Sequence, residues 1–425
     1  MAQTLVQKIM SRHLDGRDVA PGEAVMLPID VALGNDASTN GAIAVLRNMK
    51  VDRVFDPAKV VTVADHFAPA KDVKSAILLH TMKLWADQQG VKHYGLGQGG
   101  IEHTVLIEDG WIVPGSVIAG GDSHTCTYGA LGAFGTGVGL TDLACCLALG
   151  EFWQVVPETI QVVFTGNRRA FVTGKDLILS VLAVLGVSGG AGAVLEFTGE
   201  GAEALSIDER MAVSNMAVEA GSETGFFPAD QITADYLDGR TTKPWSKERS
   251  DPDAEIIRTV HIDLETVNPL IALPPSPGNV AEVREARGRK IDQVYIGNCA
   301  NGTMTDLRQA ASVLKGRKVH PDTRMIVVPA SQRVWLQANQ EGLLNIFAEA
   351  GAAVSMPTCG ACFGGHNGVM GPGERAITTT NRNFKGRMGS PEAEVYIANA
   401  YVAAASAVAG EIVEPQQIAD HLEVA

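Results

Sequence analysis

Two apolar runs that lack polar alternation, residues 24–32 (AVMLPIDVA) and 59–64 (KVVTVA), lead into polar or glycine-bearing turns. A strand-length run that is apolar on both sides belongs in a sheet covered on both faces, which is the habit of parallel sheets packed between helices. The rest of the chain repeats this theme. Residues 160–165 (IQVVFT) and 193–198 (AVLEFT) read as strands flanking a helix near 174–186. Residues 72–90 read as an amphipathic helix ended by Gly90, and residues 208–221 as a helix opened by Asp208 and closed by Gly221. A proline-rich stretch, residues 268–280, has the chemistry of a linker. Beyond it come a strand (293–296), a helix (305–314), a strand (325–328) and a helix (332–341). This alternation predicts the α/β class, with mostly parallel sheets.

Charge and length narrow the functions open to such a fold. A chain of 425 residues has room for more than one core. Its formal net charge of −14 repels polyanions, which argues against nucleic acid and an anionic membrane as partners. The N-terminus (MAQTLVQKIMSRHLDG) lacks the uninterrupted apolar core of a secretory signal. The most apolar stretch, residues 131–150, contains Asp142 and several glycines and reads as a buried helix, not a membrane span. A cytoplasmic location is the expectation.

The chain has six cysteines, too few for a disulfide scaffold. Cys359 and Cys362 form a C-x-x-C, and Cys299 stands earlier in IGNCANG; each follows a predicted strand and sits in a glycine-containing turn. A lone C-x-x-C is compatible with a redox pair, half a zinc site or small core residues. No second C-x-x-C and no spaced histidine pair supports zinc. Three thiolates would leave one iron of a [4Fe–4S] cluster without a protein ligand, open to act as a Lewis acid. Cys126, Cys145 and Cys146 read as core; the last two lie in the apolar run LACCLALG.

Four segments gather polar residues beside strands or glycine turns: residues 35–39 (NDAST, with Asp36), 65–66 (Asp65–His66), 97–103 (GQGGIEH, with His103) and 121–125 (GDSHT, with Asp122, Ser123 and His124). An aspartate beside a histidine suits proton transfer, because the carboxylate stabilises the imidazolium. Arg382 and Arg387 in NRNFKGR carry guanidinium forks of the kind that bind carboxylates bidentately, but taken alone the segment reads first as a solvated basic loop. Residues 95–100 (GLGQGG) match G-x-G-x-x-G, but no apolar strand precedes them and no helix pattern follows, so a dinucleotide site is rejected.

Taken together, NDAST, DHFAP, GQGGIEH, GDSHTCTYGALGAFGTGVG, SNMAVEAG, IGNCANG, CGACFGGHNGVMGPGE and NRNFKGR resemble, in order and across nearly the whole chain, the aconitase and isopropylmalate dehydratase family. The resemblance implies three α/β/α domains of aconitase type (1–155, 156–270 and 271–425), with the site in the cleft between them. It implies a [4Fe–4S] cluster on Cys299, Cys359 and Cys362. His66, supported by Asp65, resembles the acid that protonates the leaving hydroxyl. His103, Asp122 and His124 resemble the residues around that hydroxyl or water, and Glu219 the carboxylate behind them. Ser123, Asn215, Asn381, Arg382, Arg387 and Asp36 resemble groups near the substrate. The expected activity is that of a hydro-lyase on a small dicarboxylate or tricarboxylate, foremost the interconversion of 2- and 3-isopropylmalate in leucine biosynthesis.

Single-chain members continue into a swivelling domain with a catalytic serine. This chain is similar to the two-subunit branch, in which a separate small subunit carries that domain. Asn298 and Ala300 stand where the family usually has Ser and Thr, Thr303 where it has Arg, and Thr358 and Ala361 where it has Gly and Pro. These departures keep a homoaconitase or a maleate, citraconate or dimethylmaleate hydratase as alternative activities. A cluster-free RNA-binding regulator is the alternative of another class, and the acidic balance opposes it.

Overall fold

The structure, a computed structural model, describes residues 2–418. Three sheets organise it. The first has five parallel strands in the order Lys92–Tyr94, Val60–Val63, Val31–Asn35, Val117–Gly120 and Phe134–Gly137. The second has four parallel strands: Gly225–Phe226, Ala193–Thr198, Glu158–Thr165 and Arg258–Asp263. The third has seven, in the order Val280–Glu282, Leu270–Ala272, Glu394–Ala398, Arg375–Thr378, Gln293–Gly297, Arg324–Val328 and Ala353–Val354; Leu270–Ala272 runs antiparallel to both its neighbours and the other six point the same way. Helices cover the faces. The largest apolar cluster joins the third sheet to the helices Met304–Leu314, Leu343–Ala350 and Ala400–Ala409. Among the described residues no helix is long and apolar enough to cross a membrane.

Four expectations are corrected. Residues 24–32 are two strands, not one. Pro28 ends the first (Ala24–Pro28), which pairs antiparallel with Glu151–Val155 in a separate ribbon, and Val31 opens a central strand of the first sheet. A proline cannot donate to a ladder, so the chain changes sheets there. Residues 131–150 are not one helix: a strand (Phe134–Gly137) precedes the helix Leu140–Leu149, and Gly132 turns between them and the preceding segment at φ +75°. The proline-rich segment is no free linker, because it carries the strand Leu270–Ala272 of the third sheet and runs into the strand Val280–Glu282 paired with it. The helix Val73–Gln89 buries Met82, Trp85 and Ala86 but leaves Val73, Ile77 and Leu84 exposed, so it is not cleanly amphipathic.

The glycines of Phe134–Gly137 matter to the site. A Cβ on Gly135 would lie 2.3 Å from the Thr125 carbonyl oxygen, and one on Gly137 would lie 2.6 Å from the Asp122 carbonyl oxygen. The loop carrying Asp122, Ser123 and His124 therefore rests directly on bare backbone. Gly135→Ala is expected to destabilise the chain by about 1–3 kcal/mol through overpacking, read as a lower urea midpoint. Gly371→Ala, whose Cβ would meet nothing closer than 3.6 Å, should leave the midpoint nearly unchanged.

Candidate active site

Seven strand ends supply the polar residues. Asp36 follows Val31–Asn35, Asp65 and His66 follow Val60–Val63, and Glu102 and His103 lie in the turn and helix after Lys92–Tyr94. Asp122 to His124 follow Val117–Gly120, and Cys299 follows Gln293–Gly297. The C-x-x-C follows Ala353–Val354, and Asn381 to Arg387 follow Arg375–Thr378. In parallel sheets the carboxyl ends of strands are where ligands bind. Here the first and third sheets turn these ends toward each other, and the loops are stitched across the gap. The Cys359 amide donates to the Asp65 carbonyl at 2.8 Å, and the Thr358 hydroxyl donates to the same oxygen at 2.9 Å.

Asp36 does not face a ligand. Its carboxylate accepts the backbone amides of Asp65, His66 and Phe67 at 2.9, 2.9 and 2.6 Å, so its place is beneath the His66 loop as a support. Asp65 in turn holds His66 Nδ1 at 2.7 Å through one oxygen and accepts the Glu102 amide through the other at 2.9 Å. This fixes the ring so that Nε2 points at Asp122, 3.6 Å away. Phe363 packs against the imidazole with ring centroids 4.9 Å apart.

Asp122 is the hub of three histidines. One of its oxygens lies 3.0 Å from His103 Nε2 and accepts the His124 amide at 2.7 Å, while the other faces His66. Burial alone would raise the Asp122 pKa; hydrogen bonds from His103, His124 and His66 outweigh it and hold the carboxylate well below its ordinary range. Burial likewise works against the charged form of His66, but Asp65 and Asp122 lift it well above the ordinary imidazole value. Both carboxylates therefore favour the protonated imidazole, the form a general acid needs.

A second network holds the far side. The helix Ile207–Asn215 breaks at Met216, and a short 3-10 turn, Ala217–Ala220, brings Glu219 inward. Glu219 receives His124 Nε2 at 2.9 Å and Arg382 Nε at 2.6 Å, and Arg382 also donates to the Ser123 hydroxyl at 2.8 Å. Burial would raise the Glu219 pKa, yet His124 and Arg382 lower it. Arg387 makes no ion pair among the described residues, and its buried Nε lacks a hydrogen-bond partner. It is a cation free to receive an anionic ligand.

All three predicted cysteine ligands are buried. The Asn215 and Asn381 amides donate to the Cys299 sulfur at 3.1 and 3.3 Å, and Cys362 lies 3.4 Å from Asn381 Oδ1. Cys362 is pulled down to about 5 by its hydrogen bond from Cys359, with burial opposing and Arg387 assisting. Among the described residues, the side chains close enough to share one ion, with ligand atoms within 4.8 Å of one another, are Asp36–Asp65–His66 and His66–Glu102–Asp122; neither set contains a cysteine. Among the described residues the three sulfurs are thus not all gathered within reach of one ion such as zinc, whose bonds to sulfur are about 2.3 Å. Soft thiolates with amide N–H donors match an iron–sulfur cluster. Cys126 is not a fourth ligand: its thiol donates to the Asn215 carbonyl at 3.3 Å.

The departures around Cys299 have local explanations. Asn298 adopts φ +148°, and its side-chain oxygen accepts the amides of Ala300 and Asn301 at 2.8 and 2.7 Å, folding the cysteine turn. Thr303 caps the helix Met304–Leu314 in a reciprocal pair with Asp306. Sequence reasoning missed Glu102. It is fully buried, with one carboxyl oxygen receiving the Asn35 amide at 2.8 Å and the other unpartnered. Burial, with Asp65 and Asp122 adding to it, raises its pKa well above the usual carboxyl range. Its neighbour His103 was visible as a histidine in a glycine turn; nothing in the sequence marked Glu102 as inward-facing.

Comparison with known proteins agrees with this geometry. The model of the aconitase family (aconitate hydratase) matches residues 7–410. The 3-isopropylmalate dehydratase large subunit 2 of Rubrobacter xylanophilus is 66% identical over 418 residues, covering 98% of this chain and 99% of that protein. The large subunits of Acetivibrio thermocellus (48% identical, covering 98% of this chain and 100% of that protein) and Pyrococcus furiosus (large subunit 1, 47% identical, 98% and 99%) are similar along their whole length. Among solved structures, the holo-form of Thermococcus kodakaraensis aconitase X is alike in fold alone, with a TM-score of 0.52 at 14% identity and 89% of each chain covered. With the strand-end residues, the three thiols and the match over residues 7–410 in agreement, the chain belongs to the aconitase family.

Proposed function

We propose that the chain is the large subunit of a cytoplasmic 3-isopropylmalate dehydratase, a hydro-lyase that interconverts 2- and 3-isopropylmalate in leucine biosynthesis together with a separate small subunit. The observation that carries the reading is the convergence of three thiols with an acid–base network at the facing strand ends, in a chain 66% identical to a protein of that name.

Cys299, Cys359 and Cys362 hold the [4Fe–4S] cluster. When bound, the cluster supplies a Lewis acid that polarises the substrate hydroxyl. The chain's own residues handle charge and protons. Arg387, with its unpartnered Nε, and Arg382, already aimed at Ser123, receive the substrate carboxylates. Dehydration breaks a carbon–oxygen bond and removes a proton from the adjacent carbon. Hydroxide is a poor leaving group, so His66 gives a proton to the departing oxygen and water leaves. Rehydration reverses these steps at the neighbouring carbon. Asp65 fixes the ring of His66, and Asp122 stabilises its charged form while linking it to His103 and His124. The base that takes the carbon-bound proton is a serine of the small subunit.

The cluster assignment is tested by metal and sulfide analysis of anaerobically prepared protein. Cys359→Ser should lose the iron and sulfide that the parent chain holds, because a hydroxyl is a hard and weak substitute for a thiolate. Retention of a full cluster in that variant would remove Cys359 from the ligand set. The partner is tested by assay: the isolated chain should not turn over 3-isopropylmalate, and added small subunit should restore activity.

For the acid role, His66→Asn should keep the cluster spectrum and lower the turnover number by about 10²–10⁴-fold, the usual contribution of a positioned acid. KM should change far less, since the arginines remain. An unaltered rate would pass the role to His103 or His124.

A further inference from the structure

Lys175 is the second residue of the helix Gly174–Leu185 and is completely buried. Its ammonium donates to the Met216 sulfur at 3.1 Å and to the Thr380 carbonyl at 3.2 Å. Both acceptors are neutral, and among the described residues no carboxylate lies within ion-pair distance of it. The nearest acids are otherwise engaged. Asp176 accepts the Leu270 and Thr173 amides and the Asn399 side chain, and Asp306 accepts Asn301 and Thr303.

A buried unpaired ammonium is costly, and the positive end of a helix makes this position less favourable still. Something negative must offset it. The two acceptors identify the place: Met216 directly follows Asn215 and Thr380 directly precedes Asn381, the two residues whose amides donate to the Cys299 sulfur. Lys175 therefore stands immediately behind the asparagines that hold the thiol. A doubly positive iron–sulfur core on three thiolates is a monoanion, which one ammonium neutralises.

We propose that Lys175 is the buried counter-charge of the cluster, a positioning residue that raises its reduction potential and its retention without meeting substrate. The inference rests on the cluster assignment above. Burial pulls the ammonium down to about 8, and Asp306 and the Cys299 and Cys362 sulfurs oppose this by favouring its charged form. The direction of the effect follows from charge. A reduced cluster carries one more negative charge, a nearby cation stabilises that form, and removing the cation lowers the potential.

The experiment reconstitutes the parent chain, Lys175→Met, Lys175→Gln and Lys175→Arg anaerobically. It then measures iron and sulfide content, the midpoint potential by EPR-monitored titration, and the rate of iron loss to a chelator. Both neutral variants should shift the reduction equilibrium at least tenfold toward the oxidised form, about 59 mV for one electron. They should also lose iron faster, whereas Lys175→Arg stays close to the parent. If Lys175→Met does not fold, the Gln variant, which can still donate to the Thr380 carbonyl, gives the same readout. Parent protein that loads its cluster while the neutral variants keep its potential overturns the proposal and leaves the cluster assignment intact. An equal drop in Lys175→Arg overturns it too. A parent chain that takes up no iron and sulfide overturns the cluster assignment itself.

Discussion

Asp65 joins the parts of this site that come from different sheets. Its amide is held by Asp36, one carboxylate oxygen orients His66, and the other receives the Glu102 amide. Its carbonyl accepts both the hydroxyl of Thr358 and the amide of Cys359. One residue thus sets the distance between the acid and the metal-binding loop. The arrangement depends on burial. In water each of these hydrogen bonds would compete with solvent, but in a dry interior an unmade bond carries the full desolvation cost, so the geometry is strongly specified.

The same logic extends outward to Asp122. Three imidazoles around one carboxylate would repel one another if all were charged without it. The carboxylate lets them share a small volume, and each is kept in place by a further partner: Asp65 for His66, Glu219 for His124, and the Tyr128 ring for His103. Glu219 then passes the arrangement to Arg382. The chain of contacts runs from the first sheet, through the broken helix after Asn215, to the loop of the third sheet.

Much of this was legible in the sequence, and for physical reasons. Strands such as Gln293–Gly297 and Arg324–Val328 are apolar on both faces because helices cover both, and cysteine, histidine and aspartate in the turns after them stand out against that background. What the sequence hid was pairing. The segment from Ala24 to Asn35 is locally uniform in hydropathy, yet Pro28 divides it between two sheets. The Leu131–Gly150 segment is apolar enough for a helix, but its glycines serve the Asp122 loop packed against them, a contact between parts of the chain that no periodicity reports. Asp36 read as a ligand-facing acid because an acid in a turn looks the same whether it meets substrate or backbone amides. Glu102 and Lys175 escaped notice because charged residues near helix starts are ordinarily solvated; only the tertiary structure buries them.

The Asn215–Cys299–Asn381 contact has a consequence for how the holoprotein comes into being. Its three members are far apart in the chain, and Arg382 reaches back 259 residues to Ser123. Synthesis delivers residues from the N-terminus onward, and a contact of such separation waits for the later partner to emerge. An emerging polypeptide that already exposes the first sheet and its histidines has none of the C-x-x-C and only part of the thiol's amide cradle. Delivery of iron and sulfide by the cell's assembly machinery must therefore address a chain whose C-x-x-C and Asn381 have already been made.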